Sequence, residues 1–257
     1  MAMRMLATER ESRILELLSG TQGRSIHDLS AALDVSVATV RRDLAEMEER
    51  RLLTRVRGGA TLVPARRIEP LFAAKETENR AGKERIARAA LSLVEDHDVL
   101  YLDGGSTVLM LARLLVQCRD LTVVTNSLMA ASALMESGHR LILVGGEYRA
   151  LSRTLVGPLT AQVIKAIHVT KAFMGTIGLT AGEGMTTTDV NEAFTKEQIM
   201  RRANKVILLA DHSKMGVPSF ARSGSLEDID VLVTDRIDAG FRGDLEGSGI
   251  QVLIAAD

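Results

Sequence analysis

The chain has 257 residues, of which 46% are hydrophobic, 25% charged and 3% aromatic, with a formal net charge of −1. This apolar content can bury the core of one or two domains, and the low hydrophobicity and high net charge of disordered chains are both absent. One cysteine, Cys118, excludes an internal disulfide and any metal site built from several thiolates.

In chain order, Met1 to Met5 run straight into Thr8-Glu9-Arg10-Glu11, so no secretory apolar region is expected. The longest apolar stretch, Val108 to Val116, is cut by Arg113 and falls far short of the ~20 residues of a membrane span. A cytoplasmic location is expected. Charge is distributed unevenly: residues 1–67 hold twelve Arg, no Lys and nine acids, a net of +3, whereas the rest of the chain has a net of −4. Arginine is the side chain that pairs bidentately with phosphate and with guanine edges.

The first apolar-periodic segment runs from Thr8 to Leu18 and stops at Gly20 and Gly23. A second starts at Ser25, an N-cap with Asp28 three residues on, and presents Ile26, Leu29 and Leu33. After Asp34-Val35-Ser36, a third helix capped by Ser36 turns Val37, Val40, Leu44 and Met47 inward. Leu52 to Val56 and Ala60 to Val63 read as strands around a turn at Arg57-Gly58-Gly59. Three helices and a hairpin in this order give a winged helix-turn-helix over residues 1–63. Its second paired helix would lie in a major groove, with Ser36, Ala38, Thr39, Arg41 and Arg42 facing the bases and Arg55 and Arg57 reaching phosphates from the wing. The plainer alternative makes Arg41 and Arg42 solvated residues paired with Glu46 or Asp43.

Residues 64–76, between and beyond Pro64 and Pro70, have no usable period and read as a linker. From residue 77 to 257, apolar strands at 99–102, 121–124, 141–144, 172–174, 206–210, 231–233 and 252–255 alternate with helical patterns. This is the pattern of a Rossmann-like α/β domain with a largely parallel sheet. Asp103-Gly104-Gly105-Ser106-Thr107 follows a strand and opens a helix, a placement where glycines admit close approach and free N–H groups meet an anion. Thr125-Asn126-Ser127, Gly145-Gly146 and Asp211-His212-Ser213-Lys214 also follow strands, and such loops share a crevice in open α/β sheets. Hydroxyls, backbone donors, a cation and carboxylates suit a phosphate on a polyhydroxylated carbon chain, with Asp189 and Glu192 accepting from sugar hydroxyls. For each of these the alternative is structural: helix capping by Asp103 and Ser106, a surface Lys214, turn chemistry at Asn126, and an i,i+4 pair of Glu192 with Lys196. The five histidines are scattered without ligand spacing, so no metal or cofactor is expected.

The run Leu33-Asp34-Val35-Ser36-Val37-Ala38-Thr39-Val40-Arg41-Arg42-Asp43-Leu44, with Leu52 to Ala60, resembles the DNA-binding domain of DeoR-family transcriptional regulators. The resemblance extends over residues 8–236. It departs at Arg51, where the family usually has Gly, and at Arg57, where it has His. In the second domain it rests on Lys83 to Ala87, Asp103 to Thr107, Thr125 to Ser127, Gly145-Gly146, Asp189 to Lys196 and Asp211 to Gly216. This part is similar to the family's sugar-phosphate-sensing domain, whose fold is like that of ribose-5-phosphate isomerase and coenzyme A transferase domains. The resemblance implies a regulator, usually a repressor, of a carbohydrate-metabolism operon. Its partners would be double-stranded operator DNA and a phosphorylated sugar, bound by a homodimer or homotetramer, with Lys83 among the effector-binding residues. Ile177 stands where the family often has Asp, which changes the hydroxyls the pocket can read. Two other functions are compatible with these residues. One is a sugar-phosphate isomerase or deaminase with a DNA-binding domain, using Asp189 or Glu192 with Lys214. The other is a DNA-binding module whose second domain only oligomerises.

Overall fold

Ser25 shows how local chemistry sets the first elements. Its side chain accepts a hydrogen bond from the Asp28 backbone N–H and donates to the Asp28 carboxylate, closing the first turn of a helix. The computed structural model describes residues 7–18, 24–49, 53–56, 58–61 and 69–256, and the chain divides into two units, Met1–Arg66 and Arg67–Asp257.

The first unit contains α1 (Ala7–Leu18), β1 (Arg24–Ser25), α2 (Ile26–Leu33), α3 (Val37–Glu49), β2 (Thr54–Val56) and β3 (Gly59–Thr61). Asp34 ends α2 in the left-handed conformation, φ 51°, and Ser36 opens α3 by accepting from the Thr39 N–H. The inward residues were legible: Ile14, Leu18, Leu29, Val40, Leu44, Met47 and Leu53 form one buried cluster, with Val37 packed against it. The hairpin gains β1, giving the antiparallel order β1-β3-β2. Two residues are too short a strand to leave a periodic signal.

The second unit begins earlier than the sequence suggested. α4 (Phe72–Thr77) begins within the segment read as a linker, and both Glu69 and Phe72 are buried. Six residues anchored by Phe72 and by the charged Lys75 leave no hydrophobic period, so the helix was missed. α5 (Arg80–Leu91), β4 (Val99–Leu102), α6 (Ser106–Leu114), β5 (Thr122–Thr125), α7 (Leu128–Leu134) and β6 (Arg140–Leu143) follow. A hairpin of β7 (Glu147–Arg149) and β8 (Thr154–Val156) leads to α8 (Ala161–Lys165) and β9 (Val169–Met174). Then come β10 (Gly178–Thr180), β11 (Gly184–Thr187), α9 (Val190–Met200), β12 (Ala203–Leu209), β13 (Ala221–Gly224), β14 (Val231–Thr234), α10 (Ala239–Gly247) and β15 (Gln251–Ile254).

Seven of these strands form one parallel sheet in the order β15-β14-β12-β9-β4-β5-β6. Alternate residues of each strand feed opposite faces. Leu100, Leu102, Phe173, Ile207 and Leu209 enter one core, while Tyr101, Ala172, Met174, Val206 and Leu208 enter the other. β10, β11 and β13 make a small antiparallel sheet. The chain builds outward one way from β4 through β5 and β6, and the other way from β9 through β12, β14 and β15. The reversal between β4 and β9 is the switch point where ligands gather in open α/β sheets. Among the described residues no helix is long and apolar enough to cross a membrane.

Candidate functional site

The loops leaving β4, β9 and β12 line one cleft at this switch point. Gly104, Gly105, Ser106 and Thr107 border it from the first, Gly175, Thr176 and Ile177 from the second, and Ala210, Asp211 and Lys214 from the third. Lys75 and Lys83 close one side, and Glu192 and Lys196 reach it from α9. The backbone is drawn tight here. A Cβ on Gly104 would sit 2.2 Å from Thr154 Cγ2, and one on Gly175 would sit 2.8 Å from the Gly104 carbonyl oxygen. Gly105 precedes α6 at φ 136°, a left-handed-side conformation suited to glycine.

No side chain caps α6. The first-turn N–H groups of the helix therefore face the cleft mouth with the positive end of the helix dipole behind them. Lys83 and Lys214 border the same cleft. Lys83 is buried and donates to the carbonyls of Lys75 and Glu78, both at 2.6 Å. Burial pulls its pKa below the usual lysine range, against the attraction of Asp211. Asp211 caps the short turn that carries Lys214 by accepting from Ser213 N–H at 3.0 Å.

Beneath the cleft, Lys196 donates to Asp103 and, at 3.0 Å, to the Gly175 carbonyl, while Asp103 also accepts from Gly175 N–H. Burial opposes the charge on Lys196, but the carboxylates of Asp103 and Glu192 outweigh it and raise its pKa. Asp103 is thus the buried partner of a lysine rather than a helix cap. The i,i+4 approach of Lys196 to Glu192 is present at 3.6 Å. Burial raises the Glu192 pKa, and its Oε2, 3.2 Å from Arg149 Nη1, makes no well-directed hydrogen bond.

A second layer of charge adjoins Glu192. Glu69 receives Lys75 on Oε1 at 2.6 Å and both Arg149 and Thr188 on Oε2, at 2.6 and 2.5 Å. Burial alone would raise its pKa, but Arg149, Lys75 and Thr188 together hold it down at about 2. Glu69, Lys75, Arg149, Ser152 and Thr176 had escaped the sequence reading. Glu69 and Lys75 fell in the supposed linker, and Arg149 ends a three-residue strand too short to leave a periodic signal.

The remaining expected residues lie outside the cleft lining. Thr125 donates to the Leu102 carbonyl and accepts from Ser127 N–H, and Ser127 caps α7. Asn126 Nδ2 donates to the Leu155 carbonyl, fastening β8 to the end of β5. Gly146 packs against Val156 and Thr160. Gly145 is likewise absent from the lining, and Asp189 caps α9 by accepting from Asn191 and Glu192 N–H. The loops after β5 and β6 serve the β7–β8 hairpin because those strands lie on the far side of β4 from the reversal.

In the first unit, Ala38, Arg41 and Arg42 are exposed on α3, with Ser36 exposed at its start and Thr39 half-buried. Thr39 Oγ1 lies 2.9 Å from Ser36 Oγ. Asp43, one of the partners considered for the arginines, is buried and taken by Arg10 from α1 in a bidentate pair at 2.8 and 2.9 Å. Arg55 is exposed on β2, with its N–H bonded to Glu48. Arg51 and Arg57 lie outside the described residues.

Residues 10–65 match the DeoR-like helix-turn-helix domain, and residues 78–236 match the DeoR C terminal sensor domain. The HTH-type transcriptional regulator GlpR of Haloferax volcanii is 38% identical over 250 residues, covering 97% of this chain and 98% of that protein. The HTH-type transcriptional regulator GolR of Listeria innocua is 36% identical over 253 residues, covering 98% and 100%. The glycerol-3-phosphate regulon repressor of Escherichia coli is 32% identical over 232 residues, covering 90% and 92%. Among solved structures, ribose 5-phosphate isomerase A of Methanocaldococcus jannaschii is similar over 54% of this chain and 55% of that one, at 19% identity and a TM-score of 0.41. With both domain profiles matched in order and full-length relatives of this kind, the chain belongs to the DeoR family of DNA-binding transcriptional regulators.

Proposed function

We propose that the cleft is the effector site of a regulator of carbohydrate metabolism, and that the effector is a phosphorylated sugar or related phosphate ester. The uncapped N-terminus of α6, facing a cleft bordered by Lys83 and Lys214, carries this reading. Free helix N–H groups and two ammonium groups form a site for a dianion. Ser106, Thr107 and Thr176 add hydroxyl donors, and Glu192 and Asp211 accept from the carbon chain's hydroxyls. Ile177 makes one wall apolar, so the effector presents carbon rather than a hydroxyl there. Names of relatives such as the glycerol-3-phosphate regulon repressor support a phosphate ester and a repressing role.

On the DNA side, Ser36, Ala38, Thr39, Arg41 and Arg42 read the major groove, and Arg55, with Arg57, meets backbone phosphate. A homodimer or homotetramer in the cytoplasm places two such units on half-sites about 34 Å apart, or a multiple of that spacing. The second domain works by binding rather than turnover. Asp103 and Lys196 neutralise each other and Asp189 is spent on a helix cap, which withdraws two of the carboxylates a catalytic base would come from.

The test is thermal melting of the purified protein with sugar phosphates, each paired with its unphosphorylated sugar. A ligand at 100 times its Kd stabilises by about 2.7 kcal/mol, so the phosphate raises Tm and the parent sugar does not. Lys214→Ala is expected to abolish the shift and the effector response while retaining operator binding. Equal shifts from phosphate and parent sugar, or a shift that survives Lys214→Ala, count against the site. Turnover of the phosphate ester that is lost in Glu192→Gln would instead favour the enzyme.

A further inference from the structure

Lys75 belongs to two environments at once. Its ammonium sits on Glu69 at 2.6 Å, with side chains 9% and 1% exposed, yet the residue also borders the cleft alongside Lys83, Ser106 and Thr107. Lys83 is tied to two backbone carbonyls, one of them that of Lys75 itself. Those bonds pin the backbone at the end of α4, so the Lys75 side chain can change partner while its helix stays in place. A lysine head carries three rotatable donors on a flexible stem, so it can pass from one oxygen partner to another without moving its backbone. A phosphate ester at α6 offers nearly twice the charge of one carboxylate and three acceptor oxygens.

Glu69 has a second significance. It is the first described residue after 62–68, the segment through which the second unit connects to the DNA-binding unit. Its hold on the second unit consists of Lys75 on one oxygen and Arg149 with Thr188 on the other. Arg149 in turn approaches Asp189 at 3.6 Å and Glu192 at 3.2 Å, so it has carboxylate partners besides Glu69.

We propose that Lys75 is an effector-binding residue that works by exchange: the phosphate of a bound effector takes the Lys75 ammonium from Glu69. Removing that partner weakens the anchorage of Glu69, where the connecting segment enters the second unit. The exchange rests on the cleft being a phosphate site, and it adds a ligand residue and a route by which occupancy reaches the DNA-binding unit.

The experiment measures binding of inorganic phosphate, glycerol 3-phosphate, glucose 6-phosphate and fructose 1-phosphate to the full-length protein and to Lys75→Met, Glu69→Gln and Lys214→Ala. Operator affinity is read with and without each phosphate, on DNA selected from a random pool by the wild-type protein. Lys75→Met is expected to weaken phosphate binding about tenfold, the size of one charge-assisted hydrogen bond. Glu69→Gln removes the competing carboxylate and is expected to tighten binding several-fold, an outcome that misfolding cannot produce. Without any phosphate, Glu69→Gln should also show the operator affinity that wild type reaches only when saturated. Wild-type phosphate affinity in Lys75→Met, or unchanged or weaker binding in Glu69→Gln, overturns the exchange. If Lys214→Ala alone loses binding, the effector site stands and only the role of Lys75 falls. If wild type binds none of these phosphates, both fall together.

Discussion

Glycine at 104 is a packing requirement. An added Cβ would stand 2.2 Å from the Thr154 methyl, so the Thr154 side chain on β8 must shift to admit one. Gly104→Ala is expected to cost about 1–3 kcal/mol, the usual penalty of an overpacked site. Thr154→Ser deletes the obstructing methyl and should restore most of it, because the serine keeps the hydroxyl that lies 2.7 Å from Ser152 Oγ. Urea denaturation of the two single variants and the double variant checks this, and additive losses in the double variant would argue against the contact. A similar economy holds for Lys196 and Asp103. Each would be costly alone in the interior, and removing either strands the other as a buried charge. The exposed side chains of Arg41 and Arg42 stand apart from any such pair with Asp43, which α1 has claimed through Arg10.

At the scale of elements, the short helix α4 and the residue before it decide how the second unit begins. Glu69 has its pKa lowered from 4.5 to about 2, so its charged form is stabilised by folding. The unfolded chain takes up the proton first as pH falls. The contribution is therefore complete above pH 4.5 and disappears as pH drops toward about 2. Its upper limit is about 3 kcal/mol, from 1.36 kcal/mol per unit of pKa. Glu69→Gln should flatten the stability curve in that window, measured by denaturation at a series of pH values. An acid limb as steep as that of wild type would mean that Glu69 is not held by Arg149 and Lys75 in solution. The helix-turn-helix elements depend on the same kind of local bookkeeping. Ser25 and Ser36 cap α2 and α3, and the left-handed Asp34 sets the turn between them.

For the whole molecule, the order of strands matters more than their composition. The chain's reversal between β4 and β9 brings three strand ends together and sends two others elsewhere, which is why a cleft forms at Gly104, Gly175 and Asp211. If the proposed effector occupies this cleft, a 100-fold change in operator affinity needs about 2.7 kcal/mol of coupling to the DNA-binding unit. Binding to DNA should itself be strongly salt-dependent, since arginine contacts with phosphate release counterions. If Arg42 contacts phosphate, Arg42→Ala lowers the salt slope by about 1 and weakens binding evenly across sequences. If it reads a base, the loss is about 1–3 kcal/mol and confined to one operator position. Affinity titrations at several salt concentrations on operator and mutated operators separate these results, and unchanged binding would place the DNA on another face. The variant should melt with wild type, because an exposed helix residue adds little to stability.

The sequence alone determined the parts whose signal is local. The caps at Ser25 and Ser36, the inward row Val40, Leu44 and Met47, and all seven strands of the parallel sheet follow from short-range periodicity and hydrogen-bonding groups placed three residues apart. The turn from Asp103 to Thr107 was legible for the same reason, since a glycine pair between a strand and a helix is a local pattern. Tertiary structure decided which strand ends share a cleft, because that depends on sheet order, and order is fixed by packing across the whole unit. It sent Asn126 and Ser127 to the β7–β8 side, brought Lys196 under the cleft from 93 residues away, and folded Glu69 and Lys75 out of an apparent linker into a buried charge cluster. Charged residues bury only when their partners arrive together, and Arg149 and Thr188 for Glu69, like Asp103 for Lys196, come from segments that no single window along the chain contains.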